Sequence, residues 1–317
     1  TANPAIWSRV QFTQGMGSFR LSRTIAEDEN SSVVNALIDA VNLQLVLPIK
    51  KDRFAASVSL LPLTRKNYAF FNRGVIPSEE LGTIGDLTYL NDNKGEGGLN
   101  RFEIGFGYRF NDWLHVGYAP SVTFGYFENS VATSFGNPLY RPLTYEFTER
   151  YFGITHRFGF YTFKNRPFSS SDVISFGLNL ELAADLTAKE AVTATYTVID
   201  GQDFQGNDRV EDRETTLDVA GRTGEGTGRL PMKLEAGLLY STTPALAIST
   251  ELLYQNWSNF ENRVGDTNSF LQNRRRWALG MQWTPAAVRR TNTNFLTTMQ
   301  YRGGISVDSG YLNIDGT

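Results

Sequence analysis

Cysteine is absent from this chain of 317 residues, which excludes disulfides and thiolate metal sites. Histidine is scarce, with two residues. No apolar run approaches the roughly eighteen residues that a membrane-spanning helix requires, and the mean hydropathy is −0.30. The net charge is only −3, so no basic surface for nucleic acid is expected, and nucleic acid is not a predicted partner.

What is present is alternation over unusually long stretches. Between residues 101 and 110, Phe, Ile and Tyr alternate with charged residues and glycine, and residues 113–127 repeat the pattern after the turn Asn111-Asp112. Successive side chains of a strand point to opposite faces. A strand near fifteen residues exceeds the usual five or six. Long strands with an aromatic outer face and a charged or glycine inner face are typical of a membrane barrel.

The whole chain, residues 1–317, is predicted to form one all-β, antiparallel, up-and-down transmembrane β-barrel of about eleven strands. Residues 6–20 are assigned to the first strand, and residues 33–41 to a short helix. Short turns alternate with long connections, of which about 65–99 and 190–228 are the longest. A β-sandwich gives no reason for this segregation of loop length, whereas barrels have short periplasmic turns and long outer loops.

Eleven strands conflict with the even number of a closed bacterial barrel. An open edge would leave unpaired backbone groups in lipid, each costing several kcal/mol. We therefore expect a piece of a larger barrel that lacks its last strands.

Charged residues recur on the faces predicted to line the lumen. The simpler interpretation is a solvated or mutually paired interior, and the alternative is a set of groups that steers a ligand head group. These candidates are Arg101, Glu103, Arg109, Glu149, Arg157, Glu181, Lys233, Glu235, Glu251 and Arg276.

Four tryptophans, Trp113, Trp257, Trp277 and Trp283, lie near predicted strand ends. This placement favours aromatic girdles at the two membrane interfaces. The alternative is the core of an ordinary sandwich.

Catalytic and metal-binding patterns are weak. His115 takes the inner parity of its strand and His156 lies among outward phenylalanines, so no catalytic or metal pair is expected and the chain is predicted not to be an enzyme. Acidic residues that could bind calcium are Asp200, Asp203, Asp208 and Asp212, although acidic loops are commonly just solvated. No cofactor is predicted, apart from lipid or detergent in the barrel.

Short motifs resemble the long-chain fatty acid transporter (FadL-like) family of outer-membrane proteins, as a divergent member. Asn3-Pro4-Ala5 resembles the segment after the family's hatch, and the stretch 95–100 resembles a glycine-rich strand entry. The stretches 230–237, 254–260 and 301–305 resemble its later strands. The resemblance implies a barrel of fourteen strands, a hatch in the lumen, and uptake of hydrophobic molecules. Against that pattern, this sequence is expected to lack the amino-terminal hatch upstream of Asn3 and about three closing strands. Divergent members also serve in protein secretion, so the fold does not fix the cargo.

Three functions follow as hypotheses. The first is a channel or transporter for hydrophobic small molecules, such as long-chain fatty acids, in the outer membrane of a Gram-negative bacterium, with outer-membrane lipid around it. The second is a barrel scaffold that docks another envelope protein through the long loops. The third is a soluble β-rich surface protein, which would bury its outward faces against a second sheet.

Overall fold

A computed structural model describes residues 3–27, 32–81, 85–202, 205, 208–219, 224–243, 245–260, 271–285 and 295–313. Most of them belong to antiparallel strands. The strands are β1 (Gln14–Glu27), β2 (Ser32–Lys50), β3 (Phe54–Pro62), β4 (Lys66–Ile76), β5 (Leu87–Arg109), β6 (Leu114–Phe135), β7 (Leu143–Asn165), β8 (Val173–Glu181), β9 (Ala184–Gln202), β10 (Asp208–Leu217), β11 (Gly224–Leu230), β12 (Lys233–Thr243), β13 (Leu246–Gln255), β14 (Arg274–Trp283) and β15 (Tyr301–Asp308). Two single-turn helices are α1 (Ser78–Leu81) and α2 (Phe295–Thr298), and 3-10 helices span Pro4–Arg9 and Trp257–Asn259.

One antiparallel sheet contains all fifteen strands. Its main path runs β1-β2-β3-β5-β6-β7-β8-β12-β13-β14-β15, which is eleven strands, as the alternation predicts. The strands β5 and β7 are each 23 residues long. Each therefore pairs with a main-path neighbour along one half and with an added strand along the other, β4 beside β5 and β9 beside β7. Within the described part of the chain, no ladder joins β1 to β15.

Two ends of the sheet differ in their connections. At one end, short turns join β2 to β3, β5 to β6, β7 to β8 and β12 to β13, and we call it the short-turn end. At the other end, β4 and β9–β11 extend the wall, and we call it the extended end. The predicted connection at 285–293 lies mostly outside the described residues.

Several predictions of local structure are wrong. Residues 33–41 are part of strand β2, not a helix. The stretches 65–99 and 190–228 are largely strands β4, β5 and β9–β11, not irregular loops. Strand β4 carries aromatic residues on both faces, and β10 and β11 are mostly polar, so these three strands lack the alternation that would have revealed them. Strand β9 does alternate, with Val192, Ala194 and Tyr196 on one face. Backbone pairing, which does not depend on side-chain polarity, makes them strands.

The alternation of the central strands is confirmed. Along 101–108, residues are buried and exposed in strict turn. Phe102, Ile104 and Phe106 point outward and are about two-fifths exposed. An apolar face that remains exposed around a polar interior is the inverse of a soluble protein, and it matches a wall that faces lipid.

None of the described helices is long and apolar enough to cross a membrane.

The amino-terminal segment, residues 3–10, lies inside the barrel and is not the first strand. The interpretation of 6–20 as a strand is therefore wrong for its first half, because residues 4–9 form a 3-10 helix, and it is confirmed from Gln14, where the first strand begins. Trp7 is 1% exposed and belongs to the small apolar core with Val46, Ala55 and Ala119.

Glycines on the inner face make room for this segment. A Cβ on Gly105 would lie 2.0 Å from the Trp7 ring, and one on Gly117 would lie 2.3 Å from backbone atoms of the segment. Gly107 and Gly159 are similarly covered. The absence of side chains at these inward positions lets the helix pack directly on the strand backbones. The inner half of the sheet formed by β3 and β5–β7 is thus filled, and we call it the filled half.

Candidate functional site: the lumen

Hydrogen bonds fix the amino-terminal segment to the wall. The Asn3 amide donates to the carbonyls of Phe160 and Leu178 at 2.9 and 3.1 Å, and its Oδ1 caps the 3-10 helix by accepting from the Ala5 N–H. Ser8 Oγ lies 2.6 Å from His115 Nδ1, and both residues are buried. The segment is consequently a fixed plug on the filled half.

A layer of ion pairs crosses the lumen on the extended-end side of the plug. Arg101 forms a two-pronged pair with Glu181, in which the Nη1–Oε2 distance is 2.9 Å, and Arg157 pairs with Glu103. Glu103 is fully buried, and Arg101 and Arg157 are 3% and 5% exposed. Buried charges of this kind are tolerated only when paired, because desolvation of each ion costs several kcal/mol. We call these two pairs, together with those of the next paragraph, the ion-pair layer.

The layer continues onto the opposite wall with more exposed pairs. Lys233 lies 2.6 Å from Glu235, and Glu235 also accepts from the Asn179 amide at 2.8 Å. Arg276 pairs with Glu251, and these two side chains are 34% and 46% exposed. The layer thus combines four cations with four carboxylates, and its formal charges cancel.

Three adjoining cavities occupy the rest of the lumen. A polar cavity of about 460 Å³ is lined by Arg101, Arg157 and other members of the layer. A cavity of about 610 Å³ lies between Ile6 of the plug and the inner face of β12–β15, where the lining includes Gly237, Ala278 and Gly280. A third, of about 390 Å³, shares residues with both. The inner face of β12–β15 is therefore uncovered, and we call it the open half.

The structure brings together eight of the ten predicted lumen charges. Arg109 and Glu149 lie apart from the layer. Arg109 is at the short-turn end and pairs with Asp112 at 2.5 Å. Glu149 is on the part of β7 that pairs with β9, and it accepts a hydrogen bond from Tyr151 at 3.0 Å.

The predicted girdle tryptophans occupy different settings. Trp113 and Trp283 are about half exposed at the short-turn end, and Trp277 is outward near the start of β14. Trp257 lies in a 3-10 helix between strands and stacks on Tyr311 with 5.1 Å between ring centroids. The girdle role stays a prediction.

Three of the four predicted calcium residues lie on the strands of the β9–β10 hairpin. Asp200 and Asp212 are on its two strands, and Asp212 accepts a hydrogen bond from Thr197 at 2.7 Å. Asp208 begins β10, whereas Asp203 lies outside the described residues. Within the described ranges, no cluster of three potential metal ligands is present.

Sequence reasoning missed the plug and several polar partners of the layer. Asn3, Trp7 and Ser8 make the plug contacts, and Arg274, which pairs with Asp308 at 2.5 Å, lines the polar cavity. One available signal was the run of inward glycines at 105, 107, 117 and 159. Four inward positions without side chains indicate that something else packs there.

Comparison with known proteins assigns the chain to a family. It matches the BamG family over residues 1–317. No curated protein matches it by sequence.

Three solved structures share its fold. The P. putida toluene transporter TodX has a TM-score of 0.53 at 13% identity, with 97% of this chain and 77% of TodX covered. The Ralstonia pickettii toluene transporter TbuX has a TM-score of 0.52 at 12% sequence identity, with 96% of this chain and 80% of TbuX covered. The CymD monoaromatic hydrocarbon channel has a TM-score of 0.51 at 15% sequence identity, with 96% of this chain and 77% of CymD covered.

The likeness to these structures extends over nearly the whole chain, so the barrel fold that the short motifs implied is confirmed. The outward apolar wall agrees with the outer-membrane location. The chain belongs to the BamG family.

Proposed function

We propose that the barrel binds hydrophobic small molecules and passes them across the outer membrane. The observation that carries the proposal is the cavity of about 610 Å³ between the plug and the open half. Its volume is within the range of about 300–1,000 Å³ of small-molecule sites, and such sites are mostly apolar with a few polar groups. The channels and transporters among the structural neighbours support this non-enzymatic function.

The ligand class proposed here is an amphiphile with a long apolar chain and a carboxylate head, such as a long-chain fatty acid. The third cavity adjoins the apolar one and is lined by Asn179, Glu235 and Arg276. An apolar chain would lie against the open half while its head group meets Arg276, whose partner Glu251 is half exposed and can be displaced. A hydrocarbon such as toluene would use the apolar cavity alone.

A cavity-filling variant tests whether hydrophobic molecules bind in the cavity of about 610 Å³. Ala278 faces the cavity, so Ala278→Trp fills it, whereas Leu252→Trp adds the same side chain on the outward face, where Leu252 is 57% exposed. In lipid nanodiscs, Ala278→Trp is expected to weaken oleate binding about tenfold or more, since steric changes in apolar pockets have effects of this size. If both variants and the wild type bind oleate equally well, the proposal is wrong.

Head-group recognition requires a second comparison. Oleate and oleyl alcohol have the same hydrocarbon chain and differ in the head group. If the head group is recognised, the wild type binds oleate more tightly than oleyl alcohol. This preference should be lost in Arg276→Gln and kept in Arg302→Gln, and that result supports the fatty acid class. Arg302 is the matched control because it bonds to Gln282 and Gln300, away from the layer. Equal binding of both ligands, with Ala278→Trp still inhibitory, indicates an uncharged hydrophobic ligand.

A scaffold is the second candidate, favoured by a specific feature of the extended end. Strand β4 carries exposed aromatic residues on both faces, with Phe70 49% and Phe71 58% exposed. Exposed edge strands readily pair with another chain, and the lumen beneath is crossed by buried ion pairs. Phe71→Asp is expected to release a stoichiometric envelope partner from detergent-extracted complexes without changing oleate binding. If no partner accompanies the wild-type protein, the scaffold function is excluded.

A further inference from the structure

An apolar groove of about 570 Å³ lies on the outer wall at the short-turn end, apart from the lumen. Its lining includes the outward residues Thr162 on β7, Ile174 and Phe176 on β8, and Leu238 on β12. Thr162 is the small member of this outward row and lies directly opposite Phe176 in the ladder. Trp113 of the β5–β6 turn forms another wall. The groove is thus a notch in the lipid-facing surface, bounded by large apolar side chains.

The mouth of the groove is basic. Lys164 lines it, and Arg166 follows in the turn; both are exposed, and neither forms an ion pair with any described residue. The acidic residues nearby are already engaged. Asp112 pairs with Arg109. Asp172 is 1% exposed and accepts from the N–H groups of Phe168 and Ser169.

We propose that this groove binds one glycerophospholipid with an anionic head group. An acyl chain lies along Thr162 between Trp113 and Phe176, and the phosphate lies at Lys164. The short-turn end of outer-membrane barrels faces the periplasm, whose leaflet supplies phospholipid. Trp113 is about half exposed at this end, and the ends of barrel strands are where aromatic girdle residues concentrate. A net positive mouth above an apolar notch matches an anion attached to an acyl chain.

Native mass spectrometry of the full chain, delipidated in detergent, tests this proposal. Phosphatidylglycerol, phosphatidylethanolamine and diacylglycerol of identical acyl composition are titrated separately. The wild type is expected to retain one phosphatidylglycerol more tightly than the two other lipids. Lys164→Gln is expected to weaken phosphatidylglycerol binding about fivefold, since one basic residue near a lipid surface contributes on this scale. It leaves diacylglycerol unaffected.

Two further variants distinguish a site from general lipid contact. Thr162→Trp fills the notch and is expected to abolish the retained lipid whatever its head group. Lys50→Gln removes an exposed cation at the same end, beside the β2–β3 turn and away from the groove, and is expected to change nothing. Equal retention of the three lipids by the wild type, or equal losses in Lys164→Gln and Lys50→Gln, would overturn the proposal.

Discussion

The two halves of the inner wall have similar small residues but different neighbours. On the filled half, glycines of β5–β7 are in contact with the plug, and a Cβ on Gly117 would lie 2.3 Å from it. On the open half, a Cβ on Gly237 would have nothing nearer than 3.8 Å. The same residue type is therefore a packing requirement in one half and a lining of empty space in the other. Small inward residues do not define a ligand site until the structure shows what covers them.

The largest expected difference in stability is between substitutions of two neighbouring residues of the plug. Trp7 is buried against the filled half, whereas Ile6 lines the cavity of the open half. Trp7→Ala is expected to lower the free energy of unfolding by about 3–5 kcal/mol, as for other buried aromatic residues. Ile6→Ala is expected to cost about 1–2 kcal/mol because its side chain is only partly buried. Urea unfolding in lipid vesicles measures both, and losses in the reverse order would contradict the proposed packing of the plug.

The ion-pair layer provides the next comparison. Glu103→Gln leaves Arg157 buried without a counter-charge, and about 3 kcal/mol of stability should be lost. Glu251→Gln breaks the corresponding pair with Arg276 in the open half, where both partners are more than a third exposed, and should cost about 0–1 kcal/mol. Equilibrium unfolding of both variants checks this. Similar losses would show that the two pairs are equally screened by water.

Glycine substitutions in the filled half and the open half should differ in their effect on the free energy of unfolding, by less than the substitutions described above. Gly117→Val forces a side chain into the backbone of the plug, and overpacking of this kind costs about 1–3 kcal/mol. Gly237→Val enters open space, and the change should remain within about 0.5 kcal/mol. Thermal unfolding on gels, compared with urea titration, measures both variants. A destabilised Gly237→Val protein would indicate that the open half is more tightly packed than described.

The smallest expected effect concerns the turn that joins the two halves. Asp172 lies between β7 and β8, outside the strands, and accepts from Tyr240 of β12 at 3.3 Å. Burial opposes its ionisation, but the backbone N–H groups of Ser169 and Phe168 and the Tyr240 hydroxyl outweigh this and lower the pKa of Asp172. A lowered pKa in the folded state stabilises the protein above the unfolded value of about 3.8, and this contribution is lost as the pH falls below it.

Asp172→Asn should therefore be less stable than the wild type at pH 7, and the difference should shrink below about pH 4. Unfolding at pH 7, 5 and 3.5 measures it, with Asp112→Asn as a control on the exposed β5–β6 turn. A difference that stays constant with pH would mean that Asp172 acts by geometry and not by its charge.

Alternation predicted the central strands well because side-chain direction along a strand depends only on sequence parity. It correctly assigned Phe102 to the outer face and Glu103 to the inner face. It failed for residues 6–13 because an apolar tryptophan is equally compatible with a lipid-facing strand and a buried plug. It also failed for β4, β10 and β11, in which polar and apolar residues do not alternate regularly.

An antiparallel wall with an apolar outer face, a polar or glycine inner face and a main path of eleven strands follows from the order of residues along the chain. The pairing of Arg101 with Glu181, 80 residues away, and the position of the plug over one half of the lumen became evident only from the folded structure. These two kinds of feature depend on interactions of different range. Parity is a property of neighbouring residues, whereas contacts across a lumen depend on the register and curvature of every strand between them.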